Sequence, residues 1–319
     1  MTPDMARIVY QNEAVVEETD LTLSLLDVSH KHGIPHMQAC GGHARCSTCR
    51  VLVLENLDHV CPRNEAEAQL AERRGFTDDI RLACQSHIDG NVIIRRLVVD
   101  DFDTSLVNSE TPMAVGRELC IAVLFADIRG FTPFAERTLP YDVVHILNRY
   151  FQAVGDAILR NGGVIDKYIG DAVMALFGLD GSDPRTACLQ ALKAALAMRA
   201  SVAEFNNYLS QVFHEQFAVG IGIHFGPAVV GEIGHPDRRQ VTAIGNTVNI
   251  ASRIEAESKV LGTDLLVSEY VIAKVGDCVE TGRTIATNLR GTTGETRLLE
   301  VLGLTGSDAG VGESPSHAK

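Results

Sequence analysis

Gly162–Gly178 reads GGVIDKYIGDAVMALFG. Two short apolar runs, VIDKYI and AVMALF, flank a Gly-Asp pair, the pattern of a β-hairpin around a tight turn. The charges are out of place for such a segment. Asp171 lies at the tip and Lys167 four residues before it. An ionised side chain there is costly unless a partner, a metal or a ligand meets it. A surface turn with a solvated Asp and a snorkelling Lys is the alternative, so the choice depends on what the rest of the chain supplies.

The chain has 319 residues, 45% hydrophobic and 22% charged, which suits a soluble globular protein with room for two domains. No apolar run approaches the length of a bilayer span, and the polar, acidic start MTPDMARIVYQNEAVVEETD lacks a signal-peptide pattern. The expected location is the cytoplasm, with no membrane span. A net charge of −13 argues against non-specific nucleic-acid binding, which needs a basic face. A nucleotide substrate stays open, because a metal reconciles phosphates with carboxylates. Eight cysteines in such a chain point to metal or cluster chemistry rather than disulfides. Five fall between Cys40 and Cys84 and three are scattered later, the first sign of a two-part protein.

In the first part, RIVYQ reads as a strand and LTLSLLDVSHKHGI as a turn with a helix from about Leu23 to His32. The run QACGGHARCSTCRVLVLEN then gives Cys40-x5-Cys46-x2-Cys49, and Cys84 follows after 34 intervening residues. Three thiolates in a small-residue loop plus one distant thiolate is what a [2Fe–2S] cluster needs. Gly41, Gly42, Ala44, Ser47 and Thr48 leave backbone N–H groups free to turn toward the sulfurs, which helps set a cluster's potential. A four-cysteine zinc site usually pairs two close Cys-x-x-Cys knuckles, and only one is present. Four buried free cysteines is the remaining alternative. Cys61, before Pro62, matches no ligand position, and His43 and His87 read as loop or surface residues. Residues from about Arg7 to Val99 resemble a [2Fe–2S] ferredoxin, the five-residue first gap matching the adrenodoxin-like variant. That resemblance implies a β-grasp fold with Cys40, Cys46, Cys49 and Cys84 as ligands.

Domain limits of 1–100, a linker over 101–117, a second domain over 118–302 and a disordered Gly/Ser-rich tail over 303–319 follow from composition. The second domain opens with LCIAVLFADI, an apolar run of the kind buried on both faces. Asp127 ends it, and RGFTPFAER turns into a helix with Thr132 expected as N-cap before Pro133. A helix start at Phe131 and Thr132 suits a phosphate. Helices are expected over Tyr141–Arg160 and Pro184–Leu209, then FAVGIGIHFG and PAVVGEIG as a second strand pair. In QVTAIGNTVNIASRIEAESKVLG, a strand leads into a helix on which Asn249 and Arg253 share a face. Such a pair can also be solvated, or bridged to Glu255 or Glu257. TDLLVSEYVIAKVG follows, and TIATNLRG and TRLLEVLGL read as closing strands. Asp127 and Asp171 each end an apolar strand, and neighbouring strands would bring both to one place. Two carboxylates there suit divalent ions bridging to substrate phosphates; unrelated strand-end caps is the alternative.

FADIRGFT, DKYIGDAVMALF, GIHFGPAVVGEIG and TAIGNTVNIASRIE occur in this order. Together they resemble the catalytic domain of class III nucleotidyl cyclases, over about Cys120 to Leu302. The resemblance implies an α+β protein whose cyclase domain has a ferredoxin-like βαββαβ core, working as a head-to-tail homodimer with sites between subunits. It assigns Asp127 and Asp171 to two Mg2+ or Mn2+ ions, and Lys167 and Thr242 to the purine, favouring ATP over GTP. Asn249 and Arg253 fall on ribose orientation and transition-state charge, with Arg290 in place of the family's phosphate-binding lysine. Arginine keeps the charge with different geometry. Val241 and Glu232 depart from frequent family choices without removing a catalytic group. The implied reaction converts ATP to 3′,5′-cyclic AMP and pyrophosphate. Thr242 resembles a subgroup in which bicarbonate stimulation is common, and the amino-terminal domain suggests a redox input and a redox partner. The rival from another class is an electron-transfer ferredoxin with a degenerate nucleotide-sensing or dimerising module, which predicts a lost aspartate or Asn/Arg pair. Guanylate cyclase is opposed by Lys167 and Thr242, and diguanylate cyclase by YIGDAV in place of a Gly-Gly-acidic turn.

Overall fold

The computed structural model describes residues 5–99, 116–235, 237–289 and 294–305. The chain divides into two compact units, Met1–Arg117 and Glu118–Lys319. Residues 101–115 of the expected linker 101–117, residues 306–319 of the expected tail 303–319, and Arg290 lie outside the described residues, while Gly303 and Leu304 of that tail belong to the last strand.

The first unit is a five-stranded mixed sheet in the order β2-β1-β5-β3-β4, the β-grasp arrangement. β1 (Ala6–Tyr10) pairs antiparallel with β2 (Ala14–Glu18) and parallel with β5 (Val92–Arg96). β3 (Arg50–Glu55) lies between β5 and β4 (Ile80–Leu82). Alternation in β1 buries Ala6, Ile8 and Tyr10 on one face. Helix α1 (Leu25–Lys31) lays Leu25, Leu26 and Val28 on the same core. It starts where Ser24 and Asp27 form a reciprocal capping box. Helix α2 (Glu65–Arg74) is capped by Asn64, which accepts from the Glu67 N–H at 2.9 Å. Its Glu67 faces inward and forms a bidentate pair with Arg81 at 3.0 and 2.8 Å, both side chains buried.

The second unit is built on an eight-stranded sheet, β12-β13-β11-β9-β6-β8-β7, with β10 paired to β9. β6 (Arg117–Ile128) runs through its centre and buries Ile121 to Ala126 without interruption. Helices α3 (Phe131–Arg137) and α4 (Pro140–Arg160) lead to the hairpin β7 (Val164–Ile169) and β8 (Ala172–Phe177). Helix α5 (Pro184–Val212) then leads to β9 (Val219–His235). Reading β9-β6-β8-β7 across the sheet gives the expected βαββαβ core. In the hairpin, Ile169 faces Ala172 across Gly170 and Asp171. Gly170 adopts φ 64°, which a side chain would resist.

Two local expectations change. Helix α3 begins at Phe131, its cap position taken by Gly130 at φ 70° with no side-chain cap bond. Thr132 and Pro133 therefore lie inside the first turn, and Thr132 is not the N-cap. The second strand pair is one strand: β9 continues through Pro227. Its first half pairs β11 (Leu265–Ser268), and its second half pairs β10 (Arg238–Ile244). Pro227 falls between the two sets of partners, where the missing N–H costs least.

Helix α6 (Asn246–Leu261) lies on β9 through two glycines. A Cβ on Gly222 would stand 2.2 Å from the Glu255 backbone nitrogen, so glycine alone permits that approach. The alternation VGIGI sends Ile221 and Ile223 into the main core and leaves Gly220 and Gly222 toward α6. Helix α7 (Glu269–Val275) and strands β12 (Val279–Thr287) and β13 (Thr296–Leu304) complete the sheet edge.

Candidate functional site

The end of β6 and the hairpin tip bring Asp127 and Asp171 together. β6 and β8 pair up to Ala126 opposite Val173, and the Ile128 N–H donates to Asp171 Oδ2 at 3.2 Å. Burial, followed by a hydrogen bond to Asp127 and its charge, pushes Asp171 up to about 7. A carboxylate beside another is harder to ionise unless a cation compensates, which is the sense of the shift at Asp171. Lys259 stands 3.7 Å from Asp127, the one ammonium paired with it among the described residues.

Sequence reading missed two groups behind this pair. Glu255 of α6 is pushed up to about 7 by burial and by the Asp127 charge, against Lys259 and Arg129. Tyr150 of α4 is fully buried, and its hydroxyl has no hydrogen-bond partner among the described residues. Burial, then the charges of Asp127, Asp171 and Glu255, raise its pKa. Arg129, beside Asp127 in sequence, is tied to the turn after α6. Its guanidinium donates to the Ser258 carbonyl at 3.2 Å and to the Thr263 carbonyl. The local signal for Glu255 was its place in NIASRIE two residues after Arg253, which reads equally well as a surface ion pair.

A second constellation surrounds Lys167. Its Nζ donates to Thr242 Oγ1 at 3.0 Å and lies 3.2 Å from Asp166 Oδ2. Thr242 in turn donates to Asp166 Oδ2 at 2.9 Å. The Asp166 side chain is 1% exposed. In a regular strand Asp166 and Lys167 point to opposite faces, but the β7–β8 register shifts between Ile165 and Lys167. That bulge lets both reach the same hydroxyl. Gln240 fixes it by donating to the Asp166 carbonyl at 2.9 Å. The lysine therefore does not snorkel.

Asn249 and Arg253 form a third group, on α6. Asn249 is exposed, and Arg253 is half-buried, its Nη1 lacking a hydrogen-bond partner among the described residues. Neither Glu255 nor Glu257 pairs with it among the described residues, so the salt-bridged alternative falls. Phe131 packs on the core edge at 5.7 Å from Phe134, and Thr132 is exposed. No hydrogen bond or ion pair among the described residues joins the Asp127/Asp171 pair, the Lys167/Thr242 group and the Asn249/Arg253 pair to one another.

In the first unit the thiols come as two pairs. Cys40 and Cys46 are close enough to shift one another's pKa, and Cys49 donates to Cys84 at 3.4 Å. Burial opposes the Cys40 thiolate, yet the N–H of Arg45, the Cys46 thiol and the N–H groups of Cys46 and His43 bring its pKa down. The Cys49 thiol pulls Cys84 down to about 6, against burial and with help from Gln85 and the Ala44 N–H. The Cys49 partner is raised. Thr48 Oγ1 lies 3.1 Å from Cys46, and Gln85 Nε2 donates to Cys84 at 3.4 Å. Gly41, Gly42 and even Ala44 take positive φ to turn these amides inward. Among the described residues no three such side chains close on one point. Two thiol pairs ringed by amides suit a two-iron cluster better than one tetrahedral ion. Cys61 stands apart, accepting from the His87 N–H at 3.2 Å.

Comparison with known proteins agrees with both units. Residues 113–294 match the adenylate and guanylate cyclase catalytic domain, and residues 9–89 match the 2Fe-2S iron-sulfur cluster binding domain. An adenylate cyclase of Anabaena cylindrica is 42% identical over 156 residues, covering 48% of this chain and 30% of that protein. Adenylate cyclase 1 of Rhizobium meliloti is 36% identical over 160 residues, 50% of this chain and 24% of its own. This chain spans less than a third of the length of these two relatives. The guanylyl cyclase Cya2 superposes with a TM-score of 0.57 at 30% identity, over 60% of this chain and 96% of its own. The adenylyl cyclase CyaB from P. aeruginosa gives 0.56 at 26%, over 61% and 99%. The chain is a member of the class III adenylate and guanylate cyclase family, with a [2Fe–2S] ferredoxin domain at its amino-terminal end.

Proposed function

We propose that this chain is an adenylate cyclase that closes the ribose 3′-oxygen onto the α-phosphorus of ATP. The O3′–P bond forms, the bond from the α-phosphorus to the bridging oxygen breaks, the hydroxyl proton passes to solvent, and pyrophosphate leaves. The observation that carries this is the carboxylate pair itself, Asp127 at the end of β6 and Asp171 at the hairpin tip, where the Ile128 N–H donates to Asp171 Oδ2 at 3.2 Å and Lys259 stands 3.7 Å from Asp127. Hard carboxylate oxygens of this kind suit Mg2+ or Mn2+. Two such ions, held by Asp127 and Asp171, would supply charge neutralisation at the phosphates and a more acidic 3′-hydroxyl.

The other roles go to the chain's own side chains. Lys167 and Thr242 read the purine edge. Asn249 orients the ribose. Arg253, with its unpartnered Nη1, meets the charge that develops on the α-phosphate. Arg290 takes the terminal phosphates, and the start of α3 at Phe131 and Thr132 borders them. A guanylate cyclase reading has the likeness to Cya2 behind it; Lys167 and Thr242 are what oppose it.

That no hydrogen bond or ion pair among the described residues joins the three groups supports a homodimer in which each site draws aspartates from one subunit and Asn249 and Arg253 from the other. Tyr168, Ile169, Val229, Val241 and Ile244 are exposed on β7, β9 and β10, apolar surface of the sort that marks an interface. Complementation tests this. Asp171→Ala and Arg253→Ala are each inactive alone, and a one-to-one mixture regains about a quarter of the wild-type rate through heterodimers with one intact site. A mixture as dead as its parts defeats the shared site. Residues 1–100 and 118–302 are taken as the two domains, joined by 101–117. Cys40, Cys46, Cys49 and Cys84 hold the [2Fe–2S] cluster, and its redox state sets cyclase output, a coupling supported by the fusion of both parts in one chain. Equal cyclic AMP rates from oxidised and reduced protein would overturn that coupling.

A further inference from the structure

We infer that Asp166, a buried carboxylate behind Lys167 and Thr242, is the positioning residue that selects adenine over guanine. The inference rests on the purine role proposed above for Lys167 and Thr242, and it explains how that pair acquires a direction.

A threonine hydroxyl is ambiguous: it carries one donor and two acceptor sites, and alone it welcomes either purine. Here the ambiguity is removed. A carboxylate oxygen only accepts, so the 2.9 Å contact to Asp166 Oδ2 commits the Thr242 proton inward. An ammonium only donates, so Lys167 at 3.0 Å occupies one Thr242 lone pair. The second lone pair is what remains, and Thr242 faces a ligand as an acceptor. Lys167 spends one N–H on Thr242 and lies 3.2 Å from Asp166 Oδ2, leaving a donor for the ligand. Side by side, the pair presents a donor and an acceptor.

Adenine offers the complement on its Watson–Crick edge, an accepting N1 beside a donating N6 amino group. Guanine offers a donating N1–H beside an accepting O6, and meets a donor and an acceptor of its own kind at each position. A site committed to hydrogen bonding rejects the mismatched analogue strongly, because its buried polar groups are left unpaired. Asp166 holds the pattern because it cannot turn away. Its side chain is 1% exposed, its strand is bulged toward Thr242, and Gln240 pins its carbonyl.

The test compares kcat and KM for ATP and GTP, with magnesium, in the full-length protein. Asp166→Leu removes the acceptor, frees the Thr242 proton to point outward and is expected to lower the ATP-to-GTP ratio of kcat/KM at least about tenfold. The change should appear in KM for ATP more than in kcat. Asp166→Asn keeps an accepting oxygen and is expected to stay within about threefold of wild type, which a merely structural role would not distinguish. In a Thr242→Val background the Asp166→Leu effect should vanish, because Asp166 acts through that hydroxyl. If Asp166→Leu does not fold, Asp166→Ala is read by the same ratio. A wild-type ratio in the folded apolar variant overturns the inference and leaves the adenylate cyclase reading intact. A wild-type protein that prefers GTP, or uses neither nucleotide, defeats the parent reading whatever Asp166 does.

Discussion

Gly222→Ala adds one methyl group where β9 and α6 touch backbone to backbone. The new Cβ would stand 2.2 Å from the Glu255 nitrogen, 2.7 Å from its Cα and 2.8 Å from the Ala251 carbonyl oxygen. Ordinary contact begins near 3.4 Å, so strand or helix must yield by about 1.2 Å. No rotamer relieves a clash with main chain. Overpacking of this kind costs about 1–3 kcal/mol, and the upper half of that range is expected. At roughly 2–4 °C per kcal/mol for a unit of this size, the melting temperature should fall by about 4–12 °C. Activity should suffer more than stability. Helix α6 carries Asn249 and Arg253, and a shift of about 1 Å at reacting groups costs on the order of 100-fold in rate. The assay is an ATP series with magnesium beside scanning calorimetry, and kcat is expected to fall far more than KM rises. Gly220→Ala is the control. Its Cβ would meet side-chain atoms of Arg129, Ser258 and Glu255 at 3.0–3.1 Å and no main chain as closely, so it should cost less than Gly222→Ala. A Gly222→Ala protein with wild-type kcat and melting temperature would refute the claim that this contact sets the position of α6.

Other expectations concern charge and the cluster. With Asp171 at about 7 in the ion-free protein, magnesium binding should strengthen as pH rises toward 7, release most of a proton below that and level off above it. Calorimetric titrations in buffers of different protonation enthalpy check this, and a pH-independent affinity would count against the raised pKa of Asp171. Asp171 and Glu255 both have folded pKa values raised above the ordinary carboxylate range. Their contribution to stability is full below that range and is lost as pH rises through about 7, so the ion-free melting temperature should fall over that window and magnesium should restore it. Glu67→Gln leaves Arg81 buried without its counter-charge and should cost about 3–5 kcal/mol in urea unfolding followed by cluster absorbance. The double change Glu67→Gln, Arg81→Met should recover most of it, and equal losses would show the pair is not coupled. Cys84→Ser should abolish cluster absorbance while Cys61→Ser retains it; the reverse would reassign the ligands.

Much of this architecture was legible because it rests on local chemistry. The hairpin announces itself in two apolar runs around Gly170, and the unbroken apolar run before Asp127 marks a strand buried on both faces. Cysteine spacing picked out the four thiols that pair in space. What escaped depends on partners distant in sequence. Pro227 reads as a break, yet β9 continues through it because its two halves pair with different strands. Thr132 and Pro133 look like a cap and first helical residue, but Gly130 takes the left-handed cap position two residues earlier and starts the helix. Asp166 reads as the outward neighbour of Lys167 under strict alternation; a one-residue register shift brings it inward. Glu67 and Arg81 look like surface charges, and only the folded α2 and β4 show that each buries the other. Gly220 and Gly222 carried a readable alternation, glycine on one face and isoleucine on the other, whose meaning depends on which helix lies above.

The most direct test of the central claim is the initial rate of 3′,5′-cyclic AMP formation from ATP by the full-length, cluster-loaded protein under anaerobic conditions with magnesium or manganese. Asp171→Asn, which keeps the size and removes the charge, serves as the blank. The wild type is expected to form cyclic AMP and pyrophosphate in equal amounts, faster than it uses GTP, while the blank forms none. Absence of cyclic AMP from the wild type, or an Asp171→Asn protein as fast as the wild type, would contradict the account.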